Sequence, residues 1–222
     1  LRRYFRNLWG INVEGDLASI RFPTFEEALG ILDIADSRKE SFRGMGDDPH
    51  ATGTQELRNH LTALIALILE EKLREHYPHH IELVRHLQEL GRLCWTTFIS
   101  LNYDIIIDKA IEESSIQCQE HRIPDYAVAF TSEPQAQGRA LIGPTLLLKL
   151  HGSLNWACCP TCNALSLFPH KVAAELPGAP WKFRCAKCHE LQVPIIIPPT
   201  FFKVMSNFYL QQIWKRAEEE LK

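Results

Sequence analysis

The run Leu146-Leu147-Leu148-Lys149-Leu150-His151-Gly152-Ser153-Leu154-Asn155-Trp156 decides the fold. It is followed by the pairs Cys159/Cys162 and Cys185/Cys188 and by Pro194-Ile195-Ile196-Ile197-Pro198-Pro199-Thr200. The two apolar runs are too short for helices and are bounded by Gly or Pro, so each reads as a strand, and both are expected in a buried parallel sheet. His151-Gly152 then stands where a strand ends. Ligands of open α/β sheets collect outside the carboxyl ends of the strands, so an imidazole placed there is among the first candidates for chemistry.

Upstream of this run, Thr24-Phe25-Glu26-Glu27 has the capping-box pattern. Phe25, Ala28, Leu29 and Leu32 follow at helical spacing, which predicts a helix over 24–36. Residues 37–53 read as a loop in which Asp47, Asp48 and His50 are solvated. Leu57, Leu61, Leu64, Ile65, Ile68 and Leu73 share one face of a helix predicted over 54–77 and stopped by Pro78. Leu83, Val84, Leu87 and Leu90 predict another over 79–90; the adjacent His79 and His80 diverge around it and do not converge on a metal. Thr96-Thr97-Phe98-Ile99-Ser100 reads as a strand entering Leu101-Asn102-Tyr103-Asp104 and a helix over 105–114. Residues 118–144 read as a turn-rich excursion, and Leu210, Ile213, Trp214, Ala217 and Leu221 predict a closing amphipathic helix. The order strand, helix, strand, insertion, strand, helix is that of an α/β domain with a mainly parallel sheet and flanking helices.

The length of 222 residues suits one domain with a small insertion. Acidic and basic residues are interleaved and the formal charge is −3, so no basic stripe offers itself to a phosphate backbone, and direct nucleic-acid binding is not expected. The longest apolar run, 61–69, is too short for a membrane span, and the protein reads as soluble and cytoplasmic. Seven cysteines, four of them in Cys-x-x-Cys pairs, point to a metal in a reducing compartment and away from a disulfide framework. The chain opens on Leu1 and closes on Lys222 within a helical pattern, so both ends are expected to be cut from a longer protein.

Cys159, Cys162, Cys185 and Cys188 supply four soft ligands for a closed tetrahedral zinc site, which has no open position and therefore staples the insertion without acting on substrate. Residues 163–184 make the spacing slightly longer than that of a usual zinc ribbon. Asn102 and Asp104 taken alone suit a turn, and His151 alone suits a satisfied core residue and a functional one equally. Two separate strands, however, deliver Asn102, Asp104 and His151 to one edge of one sheet, and such convergence is what an active site needs.

The run from Phe98 to Asp104, the run Lys149-Leu150-His151-Gly152-Ser153-Leu154-Asn155-Trp156, the paired cysteines and Pro194 to Thr200, in this order, resemble the sirtuin-like (silent-information-regulator-like) domain family. Within it they are most similar to the bacterial branch found in antiviral defence proteins. The resemblance implies a Rossmann-like domain over 1–156 and 193–222, with a zinc-ribbon insertion at 157–192, that binds NAD and cleaves its nicotinamide–ribose bond. It implies that Asn102 holds the nicotinamide ribose and the attacking water, that Asp104 supports the site beside it, that Gly152 and Ser153 contribute to NAD binding, and that His151 is the catalytic base. Expelling nicotinamide leaves an oxocarbenium-like sugar, so the protein need only orient NAD, stabilise positive charge and activate a hydroxyl or water.

Two features of the family have no counterpart in this chain: an opening strand with a Gly-Ala-Gly-x-Ser phosphate loop, and a last strand beyond the final helix. The fragment 1–222 alone is therefore expected to be nearly inactive, because the backbone donors for the pyrophosphate are missing. The resemblance leaves three functions in contention. The first is an NAD hydrolase, the effector of a defence protein with NAD as substrate, a structural zinc, a partner protein or phage trigger, and room for homo-oligomerisation. The second is an NAD-dependent protein deacylase; deacylating sirtuins carry a Phe-Gly-Glu turn where this chain has Ile197-Pro198-Pro199-Thr200, which favours hydrolysis. The third is a zinc-stapled interaction module without catalysis, supported by the missing glycine loop.

Overall fold

The computed structural model describes residues 2–14, 17–40, 42, 53–72, 78–116, 122–131, 141–168, 184–196 and 207–222. The chain divides into two compact units, Leu1–Ile65 with Ile197–Val204, and Ala66–Ile196 with Met205–Lys222.

The described part of the first unit is helical. It contains α1 (Arg2–Trp9), α2 (Phe25–Arg38) and the first part of α3 (Thr54–Lys72). The capping box forms as its sequence predicts: the Thr24 hydroxyl accepts from the Glu27 amide at 3.1 Å and the Glu27 carboxylate accepts from the Thr24 amide at 2.8 Å. The helix runs two residues past the expected limit of Asp36 and ends on Lys39 in the left-handed region, whose amide bonds back to the carbonyls of Ala35 and Asp36. Tyr4, fully buried, donates its hydroxyl to the Ala28 carbonyl at 2.6 Å, and Arg58 Nε pairs with Asp33 at 2.8 Å to tie α3 to α2.

The second unit holds the mixed α/β part. Here β1 (Thr97–Ser100), β3 (Leu141–Lys149) and β2 (Arg122–Asp125) form a parallel sheet in the order β1-β3-β2. Helices α4 (Pro78–Glu89), α5 (Ile106–Ile116) and α6 (Phe208–Glu220) belong to the same unit. The central strand β3 is hydrogen-bonded on both sides, which is why its end reads as an almost continuous apolar run. Pro78, expected to stop the helix before it, is the first residue of α4, where its missing N–H costs nothing.

Two expectations need correction. Residues 118–144 are not merely an excursion, for they contain β2 and the first part of β3. The misleading residues were Pro124, Gly143 and Pro144. Pro124 lies on an edge strand, where a lost donor is tolerated, and the register advances two residues on β2 against four on β3 between the pairs Ile123↔Ile142 and Asp125↔Leu146, a bulge that takes up Gly143 and Pro144. The second apolar run also does not join the parallel sheet. Its described part is β6 (Val193–Ile196), which pairs antiparallel with β4 (Gly152–Cys158) in a separate sheet ordered β5-β4-β6, where β5 is Leu165–Leu167. The strand β4 was missed because every residue in it is buried, polar Ser153 and Asn155 included, so its sequence shows no alternation.

A fully buried lysine joins these pieces. Lys149, the last residue of β3, lies 3.1 Å from Asp108 Oδ2 on α5 and also donates to the Asp104 carbonyl in the turn after β1. The other oxygen of Asp108 accepts from the Tyr126 hydroxyl at 2.7 Å, just after β2. Burial, then the Asp108 charge, pushes the Tyr126 phenol well above its ordinary value, so it stays a donor. Four separate segments thus meet at one ion pair. Removing one member of such a pair strands the other charge in the interior, whereas replacing both by apolar groups is far better tolerated. Asp108→Ala is expected to cost about 3–5 kcal/mol, read as a lower urea midpoint at an unchanged m-value. The double change Lys149→Met with Asp108→Leu should recover most of that loss.

Candidate active site and four-cysteine centre

The register pairs Ser100 with Lys149 at the carboxyl ends of the parallel neighbours β1 and β3. Asn102 and His151 each follow two residues later, so the two candidates lie on the same edge of the sheet, one strand apart. The two connections are also bonded to each other: the Leu150 amide donates to the Ser100 carbonyl at 3.0 Å, and the Leu154 amide to the Tyr103 carbonyl at 2.9 Å.

His151 is half-buried. Its Nδ1 lies 3.0 Å from the Leu101 carbonyl, which can only accept, so the proton of the neutral ring is on Nδ1 and Nε2 is the basic nitrogen. The ring centroid lies 6.2 Å from that of Tyr103 and 6.3 Å from that of Trp214. Asn102 is exposed, and its amide is held by the Ser100 hydroxyl at 3.2 Å.

The remaining candidates have scaffolding contacts. The Asp104 carboxylate accepts from the Ile106 amide at 3.0 Å and so starts α5. Ser153 is fully buried with its hydroxyl 3.5 Å from the Tyr103 carbonyl. Gly152 has φ +84°, and a Cβ there would stand 2.0 Å from the Ile195 carbonyl oxygen, so the close approach of β4 to β6 requires glycine. The stretch Ile197-Pro198-Pro199-Thr200, like Asp47, Asp48 and His50, lies outside the described residues.

Reading the sequence missed the residues around the histidine. Tyr103 and Trp214 are ring neighbours of His151, and Lys149 fixes the turn that carries Asn102. The one available signal was Lys149, a charge within an apolar strand, because such a charge must have a partner.

The four cysteines come together as their spacing predicts. Their sulfurs all lie within 4.8 Å of one another, with Cys159–Cys188 at 3.3 Å, Cys162–Cys185 at 3.4 Å and Cys162–Cys188 at 3.7 Å. Four zinc–sulfur bonds of about 2.3 Å at tetrahedral angles separate neighbouring sulfurs by about 3.8 Å, so the cluster fits this metal and its donor set suits it.

The two halves are built alike. In each, the amide of the residue after the second cysteine, Asn163 or His189, donates to the carbonyl of the first cysteine at 2.9 Å. The amide of that first cysteine bonds one residue further on, to Ala164 at 2.9 Å or Glu190 at 2.8 Å. Asn163 and His189 both take the left-handed conformation, with φ 54° and 61°. Each half also tips an antiparallel pair, Cys158↔Leu165 or Arg184↔Leu191. Backbone amides of Cys188 and then Lys187 pull the Cys185 thiol down, while the Cys188 thiol of the same cluster is raised. Burial pushes the neighbouring Cys158 up to about 11, which suits an inert core thiol.

No family model and no curated protein matches the chain. A solved structure does. It is that of a Sir2 mutant with a p53 peptide and NAD, at 15% identity and a TM-score of 0.35, the match covering 75% of this chain and 56% of that one. The chain thus spans little more than half the length of that protein. Among the described residues no helix is long and apolar enough to cross a membrane.

Metal analysis of the purified protein should give about one zinc per chain. Cys185→Ser should abolish tight binding and lower the unfolding temperature. Apparent affinity should fall as the pH is lowered, because the thiols must lose their protons to bind. Metal-free protein of undiminished stability would contradict this assignment.

Proposed function

We propose that the chain is the catalytic part of an NAD hydrolase, the effector of an antiviral defence protein, with residues 1–156 and 193–222 as its nucleotide-binding part and 157–192 as its zinc-holding insertion. One observation carries the reading. Asn102 and His151, the two residues to which the sirtuin-like resemblance gives the chemistry, follow adjacent parallel strands at their carboxyl ends, with the histidine tautomer set by the Leu101 carbonyl.

In this reading Asn102 orients the nicotinamide ribose and a water, while Nε2 of His151 takes a proton from that water. The breaking bond leaves its electron pair on the pyridinium nitrogen, so nicotinamide departs neutral, and the water oxygen bonds to the sugar carbon. Asp104, Gly152 and Ser153 support NAD binding by shaping the two connections, through the contacts that each makes with the backbone.

The test is nicotinamide release by the full-length protein, with and without an acetyl-lysine peptide, in the presence of its defence partner or phage trigger. Release without the peptide is expected. His151→Ala and Asn102→Ala should each lower turnover by roughly a hundredfold or more with folding unaltered. Strict dependence on the peptide would make the protein a deacylase. Inertness of a folded, NAD-binding protein under every trigger would leave the interaction module.

A further inference from the structure

Helix α6 touches both centres. Near its start the Tyr209 hydroxyl donates to the carbonyl of Asn163, the left-handed residue that closes the first cysteine turn. Five residues later Trp214 Nε1 donates to the Leu150 carbonyl at 2.8 Å, one residue before His151, and the indole lies at 40° to the imidazole with centroids 6.3 Å apart. Leu210, Ile213 and Ala217 are buried, and the Thr97 hydroxyl donates to Glu220 at 2.8 Å, so the helix is held along its length. A body of this kind is stiff. The rise from Tyr209 to Trp214 is about 7.5 Å, too short for a shift at one residue to be absorbed before it reaches the other.

His151 is sensitive to such a shift. Its ring has both Tyr103 and Trp214 as neighbours, and its Nδ1 proton stays on that nitrogen only while the Leu101 carbonyl remains 3.0 Å away. The carbonyl of Asn163 in turn stays where Tyr209 can reach it only while the first cysteine turn keeps its shape, and the two sulfurs of that turn lie against those of the second at 3.3 and 3.4 Å.

We propose that α6 couples the four-cysteine centre to His151, with Tyr209 as the contact at the cysteine turn and Trp214 as a positioning residue that sets the plane and tautomer of the imidazole. The coupling concerns the ring itself and holds whatever the ring acts on; its effect on turnover rests on the reading of His151 as base.

Ring nitrogen NMR of the full-length protein tests it, with the His151 resonances assigned through His151→Gln. Zinc-loaded wild type should show a single tautomer protonated on Nδ1. Trp214→Phe, which keeps a ring but loses the bond to Leu150, should move the signals toward the average of the two tautomers. Tyr209→Phe, which loses only a hydroxyl, should move them in the same direction by a smaller amount, as should removal of zinc by a chelator. Unmoved His151 signals in zinc-loaded Tyr209→Phe would overturn the coupling, even if Trp214→Phe or the metal-free protein fails to fold. In the NAD assay Trp214→Phe should lower kcat about tenfold with KM little changed. A loss confined to KM would overturn the positioning role of Trp214 while leaving His151 as base untouched.

Discussion

The second unit depends on one buried charge. An ammonium with no access to water must find acceptors within reach, and Lys149 finds the Asp108 carboxylate and the Asp104 carbonyl. Asp108 then takes the Tyr126 hydroxyl. A purely apolar contact would let β3, α5, β2 and the turn after β1 slide by a fraction of a residue at little cost, since dispersion is not directional. Directional acceptors around one cation do not, and the turn they fix carries Asn102. The pair is therefore better understood as setting geometry than as adding net stability.

The two halves of the four-cysteine centre follow a different logic. Among the described residues the two halves share the cluster of Cys159, Ala164 and Cys185, and each turn is closed by backbone bonded to itself. Such turns are too small to hold their shape through burial, so a metal held by the four sulfurs would supply what packing cannot. Their repetition explains why Asn163 and His189 matter although neither is a ligand. Each takes the left-handed position that lets the chain turn back on its first cysteine, and Asn is among the few residues for which that conformation is cheap.

Much of this was legible in the residue order. The capping box at Thr24, the strand at Thr97 and the helix after Asp104 are local patterns whose physics is complete within a few residues, and the two Cys-x-x-Cys pairs announce their meeting through their donor set although they lie far apart in the chain. What stayed hidden was decided at long range. The pairing of β6 with β4 joins strands on either side of the four-cysteine segment, and the strand character of Gly152–Cys158 was masked because every residue in it is buried. Trp214 reads as an ordinary apolar residue on a helix face, and only the folded chain places its indole beside His151, far earlier in the sequence. In the candidate site Asn102 and His151 could be picked out as strand-end residues, but the carbonyl that sets the histidine tautomer could not, since Leu101 contributes it through its backbone.

Gly152 bears on how this chain should be compared with others. Any side chain at that position would drive into the Ile195 carbonyl, so the glycine is imposed by the close approach of two paired strands, whatever the neighbouring histidine does. With His151 acting as proposed, a His-Gly dipeptide at a strand end would mix two kinds of information, one half chemical and the other steric. A homologue that had lost its activity but kept its architecture would be free to exchange the histidine and would still be bound to the glycine. Retention of glycine with drift at the preceding position would then mark a degenerate copy, and a search that scores the dipeptide as a unit would count that copy as an enzyme.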